Sequence, residues 1–444
     1  MIEEEKEIEI DLDLDKRYNL PEFSVVNHAG KIIVIFPNIA KWMILDNKSQ
    51  WNFLTLLSSH TIREAISLLQ ASQSDLEWVL VQIEGKNICT TSPFEKKLDR
   101  SLHLYLTNAC NLRCTHCYMN SGVRAQNELS TVEILDVITK FKKANGTKIV
   151  LSGGEVLMRP DFPVIVESCK AHGLTVEVLT NGTLWNKELI EKVVSSIDKI
   201  QISIDGYCEE ENAKVRGRGS FDKAMTTLGL LRQYNIPVEI AVTPYYDETL
   251  KNRISEYAKF GKYLLENYKG TITAVKFTGE IFDGRDKKFS GAEKKEYLEI
   301  AQEIFRQCYN ESGDDAFVEY HKKGGKEGNC NFGNLAIDAE GNIYFCPAVN
   351  LMRPFGNVRN ASLDMLFENV ARIQRKSHVD SIEPCKSCDL RYICGGECRA
   401  IHFNLFSDCY ETFYNEKNGR RICTQDTKKH YYEMMIRTNE ATLE

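Results

Sequence analysis

The sequence lacks any apolar run long enough to span a membrane. Its longest, around Ile32–Phe36, is the size of a strand, whereas a spanning helix needs about 18 or more such residues. It also lacks a secretory signal: MIEEEKEIEI is acidic from Glu3 onward, where a signal would carry a basic start and an apolar stretch. Positive charge is not in excess. With 56 Lys and Arg against 63 Asp and Glu, the formal net charge of -7 argues against a dedicated nucleic-acid binder. No low-complexity linker is present, and no repeat of about 20 to 50 residues. The expectation is a cytoplasmic protein with neither membrane nor nucleic acid as partner. At 444 residues, 43% apolar and 27% charged, it has the composition of an ordinary globular chain of roughly three domains.

Cysteine is what the chain has in quantity. In a reducing compartment fifteen cysteines are poor disulfide candidates and better metal ligands. Three crowd one short stretch, Cys110, Cys114 and Cys117. Eight lie in the last quarter: Cys330, Cys346, Cys385, Cys388, Cys394, Cys398, Cys409 and Cys423. The scattered Cys89, Cys169, Cys208 and Cys308 read as small buried hydrophobes.

Three regions follow from the patterning. Residues 1–97 open on EIEIDLDLD, a half-buried strand or a solvated tail. An apolar strand pair follows around His28-Ala29-Gly30, then helical patterns near Gln50–Leu57, Ile62–Leu69 and Ser74–Glu84. A strand pair with three helices suggests a winged-helix-like shape. About five more acids than bases in this stretch argue against a DNA reader. Residues 98–310 alternate strands with amphipathic helices. The strands are 102–107, 148–152, 175–180, 199–205, 238–243 and 273–278. Repeated β-then-α units predict a parallel sheet with helices outside, an open or partial (β/α)6 barrel. Chemistry in such folds collects after the strands, and TNACNLRCTHC, SGGE, TNG and IDG occupy those places. Residues 311–444 are polar and cysteine-rich and read as loops held by metal.

Three thiolates on one loop can hold three irons of a cubane cluster and leave the fourth iron open. A three-ligand zinc site that borrows His116 has the same spacing. A zinc ribbon likewise fits Cys385, Cys388, Cys394 and Cys398.

The motif Cys110-x3-Cys114-x2-Cys117 with an aromatic after it, at the end of a first barrel strand, resembles the radical SAM superfamily. The resemblance implies a [4Fe-4S] cluster on these cysteines, with S-adenosylmethionine (SAM) chelated by the open iron. Cleavage of SAM there gives a 5′-deoxyadenosyl radical that abstracts a hydrogen atom. Gly153, Gly154 and Glu155 resemble the family's GGE motif at the SAM ammonium. Asn181, Ser203 and Asp205 stand where the family contacts the ribose and methionine parts. Arg216 resembles an arginine that pairs with the SAM carboxylate.

The late cysteines resemble the SPASM pattern. Carried over, Cys330, Cys346 and Cys398 hold a first auxiliary [4Fe-4S] cluster, and Cys385, Cys388, Cys394 and Cys423 a second. Relatives often have a further cysteine between the first two; none lies between Cys330 and Cys346, so the first auxiliary cluster has either an iron open to an external thiolate or a site closed by a nearby Asp, Glu, His or Cys409. Residues 1–97 resemble the element that recognises a precursor leader by strand pairing. The whole order resembles maturases of ribosomal peptides, nearest in arrangement to thioether-forming ones, with a flavodoxin or ferredoxin as electron donor. C–C cross-linking, sulfatase maturation and a non-catalytic iron–sulfur regulator are the alternatives. No residue of the sequence identifies a catalytic acid or base.

Overall fold

A computed structural model describes residues 13–92, 100–279, 281–310, 334–362, 377–396 and 423–443, with Phe317, Val318, His321, Gln374, Arg375 and Arg399. Cys330, Cys398, Cys409, the glycines at 324–328 and most of EIEIDLDLD lie outside the described residues.

The first region is a three-stranded antiparallel sheet followed by three helices. The strands are β1 (Ser24–His28), β2 (Lys31–Phe36) and β3 (Lys41–Leu45), in that order across the sheet. Ala29 and Gly30, both at positive φ, make the two-residue turn that pairs His28 with Lys31. The expected strand pair is therefore a triplet. KWMIL is buried along its whole length, so it carries no alternation to mark it as a strand. The helices α1 (Lys48–Leu57), α2 (Ile62–Leu68) and α3 (Gln73–Gly85) start at Asn47, Thr61 and Ser72, each side chain capping a free N–H of the first turn. They cover one face of the sheet, where Val34, Phe36, Met43 and Leu45 join Phe53, Leu54, Val79 and Ile83 in a core of their own.

The second region is the expected open barrel. Six parallel strands run in sequence order: β4 (Ser101–Tyr105), β5 (Lys148–Ser152), β6 (Thr175–Thr180), β7 (Lys199–Ser203), β8 (Val238–Val242) and β9 (Ile272–Phe277). Helices α4 (Thr131–Lys143), α5 (Phe162–Ala171), α6 (Lys187–Val193), α7 (Glu209–Arg216), α8 (Ser220–Leu231), α9 (Ile254–Asn267) and α10 (Gly291–Tyr309) follow along the chain. In α4 the Ser130–Glu133 capping box sets the start, and Ile134, Val137, Ile138 and Phe141 fall on one buried stripe. The short α7 was masked in the sequence by EEENAK, whose three leading acids favour its N-terminus rather than a core.

The barrel does not close. Beyond β4 the sheet continues into the cysteine-rich region through β10 (Leu335–Ile337), parallel to β4, then β11 (Asn342–Tyr344) and β12 (Gly356–Asn357). That region is thus not only loops. It also contains α11 (Arg391–Cys394) and a final helix α12 (Gln425–Arg437). No described helix is long and apolar enough to cross a membrane.

Candidate functional site

The site gathers where the strands of the barrel end. The turn after β5 lies against the cluster loop that follows β4. Gly154 donates its N–H to Thr107 O at 2.7 Å, and Glu155 its N–H to Ala109 O at 2.9 Å. The approach is so close that a Cβ on Gly153 would fall 2.5 Å from Thr107 O, and one on Gly154 2.3 Å from Ala109 O. Gly153 also sits at φ +142°, which only glycine adopts without strain.

Cys110, Cys114 and Cys117 are free thiols on that loop. Backbone N–H groups approach two of the sulfurs, Leu112 N at 3.4 Å from Cys110 and Ser121 N at 3.4 Å from Cys117. Asn181 Nδ2 lies 3.9 Å from Cys110 Sγ, and Arg216 Nη1 4.0 Å from Cys114 Sγ. Burial pushes the Cys110 thiol up to about 11, and burial also raises Cys114. These thiols therefore ionise when a metal displaces their protons. Three thiols on one loop, two of them met by backbone N–H groups and two by side-chain donors, suit an iron–sulfur cluster, whose sulfur charge such donors stabilise.

Around the loop, Glu155 with Asn181 and Asp205 with Arg216 form two pairs at the strand ends. Glu155 is fully buried, and its carboxylate accepts from Thr180 Oγ1 at 2.7 Å, Asn181 N at 2.7 Å and Leu157 N at 3.3 Å. Burial raises its pKa against these bonds. Its oxygens thus pin the end of β6 to the end of β5. Asn181 in turn donates to Asn111 Oδ1 at 2.9 Å. Asp205, also fully buried, accepts from Thr243 N at 2.8 Å and pairs with Arg216 Nε at 2.6 Å. His116 Nε2 stands 3.5 Å from the same carboxylate oxygen, and burial holds its pKa below the usual value. Ser203 ends β7, paired with Ala241 of β8.

Other residues complete the site without a motif to announce them. Glu128 has a buried side chain that accepts from Thr107 Oγ1, Asn108 N, Ala125 N and Arg124 Nε at 2.7–3.0 Å. It fixes the first residues of the cluster loop. From the far end of the barrel, Asp286 N bonds Thr115 O at 3.1 Å and Arg285 Nε bonds Asn120 Oδ1 at 2.8 Å, strapping the loop down.

The auxiliary cysteines fall in two places. Cys346 follows β11 and receives Ala348 N at 3.5 Å. The neighbouring Pro347 carbonyl accepts the Tyr105 hydroxyl, which also lies 3.3 Å from the Tyr118 hydroxyl beside Cys117. Cys385, Cys388, Cys394 and Cys423 line one pocket, together with Leu390, Arg391 and Tyr431 among others. Four thiols lining one pocket are a donor set for a cubane cluster; among the described residues no three side chains are grouped to hold a single metal ion, which disfavours tetrahedral zinc. Of the scattered cysteines, Cys169 and Cys308 are buried as expected, while Cys89 and Cys208 are half-buried.

Comparison with known proteins agrees with this geometry. Residues 104–257 match the radical SAM superfamily, and residues 330–389 match SPASM, an iron–sulfur cluster-binding domain. The chain is 30% identical to the mycofactocin maturase MftC of Mycolicibacterium smegmatis over 336 residues, 70% of this chain and 81% of that one. It is 28% identical to the sporulation killing factor maturation protein SkfB of Bacillus subtilis over 319 residues, 69% and 73% of the two chains. Its fold is similar to the crystal structure of Streptococcus suis SuiB bound to S-adenosylmethionine, with a TM-score of 0.50 at 16% identity over 89% of this chain and 99% of that one. [4Fe-4S] clusters and SAM are the cofactors that these domains imply. The chain belongs to the radical SAM superfamily and, within it, to the SPASM-bearing peptide maturases.

Proposed function

We propose that the enzyme forms a thioether in a ribosomally made precursor peptide, joining a cysteine sulfur to a carbon of another residue. The bond formed is not common to the family, so the reading rests on one observation. Through Tyr105 and Tyr118, Cys346 and Cys117 are brought to the same mouth of the barrel. A peptide held there meets both the site of hydrogen abstraction and a thiophilic iron.

Bound at the loop of Cys110, Cys114 and Cys117, the cluster and SAM supply the 5′-deoxyadenosyl radical that removes a hydrogen atom from the peptide. The chain's residues place these groups. Gly153 and Gly154 let the turn after β5 close on the cluster loop, which would set that loop for SAM. Glu155 holds Asn181 in place from within, and Arg216, anchored by Asp205, turns its remaining nitrogens toward the cluster. Ser203 and Asp205 would lie near the ribose and methionine parts of SAM. Cys330, Cys346 and Cys398 would hold the first auxiliary cluster, which would offer iron to the substrate thiol. Cys385, Cys388, Cys394 and Cys423 hold the second. Residues 1–97 bind the leader, residues 98–310 form the radical site and residues 311–444 carry the auxiliary clusters. A flavodoxin or ferredoxin supplies the electron, in the cytoplasm.

The test uses a precursor encoded beside the gene, in cysteine and serine versions. The cysteine form should lose a hydrogen pair per cross-link and perturb the auxiliary-cluster EPR signal, and the serine form should do neither. Cross-linking of the serine form would replace the thioether with a C–C bond.

A further inference from the structure

The last helix, α12, works on two sides. On one side Thr427, Lys428 and Tyr431 line the four-cysteine pocket. On the other it lies across the face of the N-terminal sheet that α1–α3 leave uncovered. Met435 is fully buried there, and its carbonyl accepts Trp42 Nε1 at 3.0 Å. Glu433 faces His28 at 3.7 Å. Tyr432 stands 5.7 Å from the His28 ring.

The contact continues past the helix. Asn439, buried, donates to Gln82 Oε1 at 2.8 Å and accepts from Lys86 Nζ at 2.7 Å. Lys86 is itself fully buried, bonded to Trp42 O at 3.0 Å and placed over the Trp42 ring. Gln82 bonds both Ile44 N and Ile44 O of β3. A second contact comes from the pocket's opposite wall: Arg391 bonds Asn38, in the turn between β2 and β3. The sheet therefore grips the pocket from two sides.

We propose that the N-terminal sheet is the support behind the four-cysteine pocket, with Trp42 the positioning residue that sets α12 in place. This rests on the reading of that pocket as a cluster site. A cluster's potential follows the charges, hydrogen bonds and solvent around its sulfurs. Displacing α12 moves the Lys428 charge and the Tyr431 cover relative to Cys388, so whatever shifts the sheet retunes the cluster. Coupling is reciprocal, so filling the pocket steadies the sheet.

The experiment uses the full chain with its clusters, purified without oxygen. Trp42→Ala removes the ring, and Trp42→Phe keeps it but deletes the bond to Met435. In potentiometric EPR the ratio of reduced to oxidised second auxiliary cluster, read at its wild-type midpoint, should change by about fivefold or more in the Ala variant, the low end for coupled sites. The Phe variant should fall between Ala and wild type, and the cluster of the Cys110 loop should be unmoved. The Cys385→Ser/Cys388→Ser variant, which leaves the sheet's sequence intact, should speed amide exchange in residues 31–45. A Cys110, Cys114 and Cys117 to Ala variant should not. Unchanged potential in the Phe variant together with unchanged exchange in the Cys385/Cys388 variant would overturn the coupling alone. Wild-type protein with no iron at the four-cysteine pocket would instead overturn the cluster reading, and the proposal with it.

Discussion

The loop after β4 and the pocket beside α12 both present cysteine thiols, yet they are built in opposite ways. Cys110, Cys114 and Cys117 sit within one segment, and the backbone of that segment is held by the ends of neighbouring strands. Cys385, Cys388 and Cys394 share one short stretch, but Cys423 comes from another, just before α12, and α12 is bonded to a sheet hundreds of residues earlier. The first site is local chemistry on a rigid scaffold. The second depends on long-range packing, so its tuning is open to the rest of the molecule.

The sharpest way to break this comparison is to empty the first site alone. Changing Cys110, Cys114 and Cys117 together to Ala should abolish SAM cleavage and remove about four irons per chain, since a cubane cluster holds four. The auxiliary clusters should stay, because no strand of the pocket beside α12 passes through the loop. Iron analysis and 5′-deoxyadenosine formation check this. Loss of all iron would mean that the two sites are not independent.

A smaller effect should come from Glu128, which touches no cysteine. Glu128→Ala leaves Asn108 N, Ala125 N and the Thr107 hydroxyl without their shared acceptor. Each unmet buried donor costs about 1–3 kcal/mol, so the loop should loosen and the cluster be lost much faster to a chelator. The pocket beside α12 should lose iron at the wild-type rate. Equal acceleration at both sites would make Glu128 a global stabiliser.

Glu155→Gln is milder. The amide keeps the shape but offers one acceptor where the carboxylate offers two, and donors from Thr180 and Asn181 face it. Loss of one such bond, about 1.5 kcal/mol, corresponds to roughly a tenfold drop in SAM affinity. Equilibrium binding of SAM to the clustered protein reads this directly. Unchanged affinity would release Asn181 from its role at the site.

The two sites differed in legibility for the same reason that they differ in build. CNLRCTHC, SGGE and the βα rhythm are short-range patterns, and each lies where a parallel barrel puts its chemistry. Even so, the part of Glu155 was legible only as a family likeness. Its oxygens turn inward to Thr180 and Asn181, a partnership between residues on different strands that no spacing records. Glu128, Arg285 and Trp42 were invisible for that reason too. The strand KWMIL was missed because burial on both faces erases alternation. The strand β10 was missed because nothing in three apolar residues announces that they will pair with β4, more than two hundred residues earlier. The helix α12, with its charged and aromatic TKKHYYEMMIR, was hidden within a region whose cysteines drew the reading toward loops.

The smallest expected effect lies on the seam between the regions. Arg359, just past β12, bonds Glu133 at the start of α4 at 2.6 Å and the carbonyls of Asn127 and Glu340 at 3.1 and 3.2 Å. The guanidinium and the Ser130 cap hold the Glu133 carboxyl down to about 2. Its folded pKa is thus below its unfolded value, so its contribution is present well above pH 4.5 and is lost as pH falls from there toward about 2. Both side chains are about one-third exposed, and solvent screening leaves the pair worth roughly 0.5 kcal/mol. The thermal midpoint of Arg359→Ala should therefore lie slightly below wild type at pH 7, and the gap should narrow at pH 3.5. Measuring both proteins at each pH cancels the acid loss of clusters, which they share. A gap that stays constant across that range would assign Arg359's worth to its carbonyl bonds. The seam would then be held by backbone contacts, as the first site is, rather than by the long-range side-chain contacts that build the second.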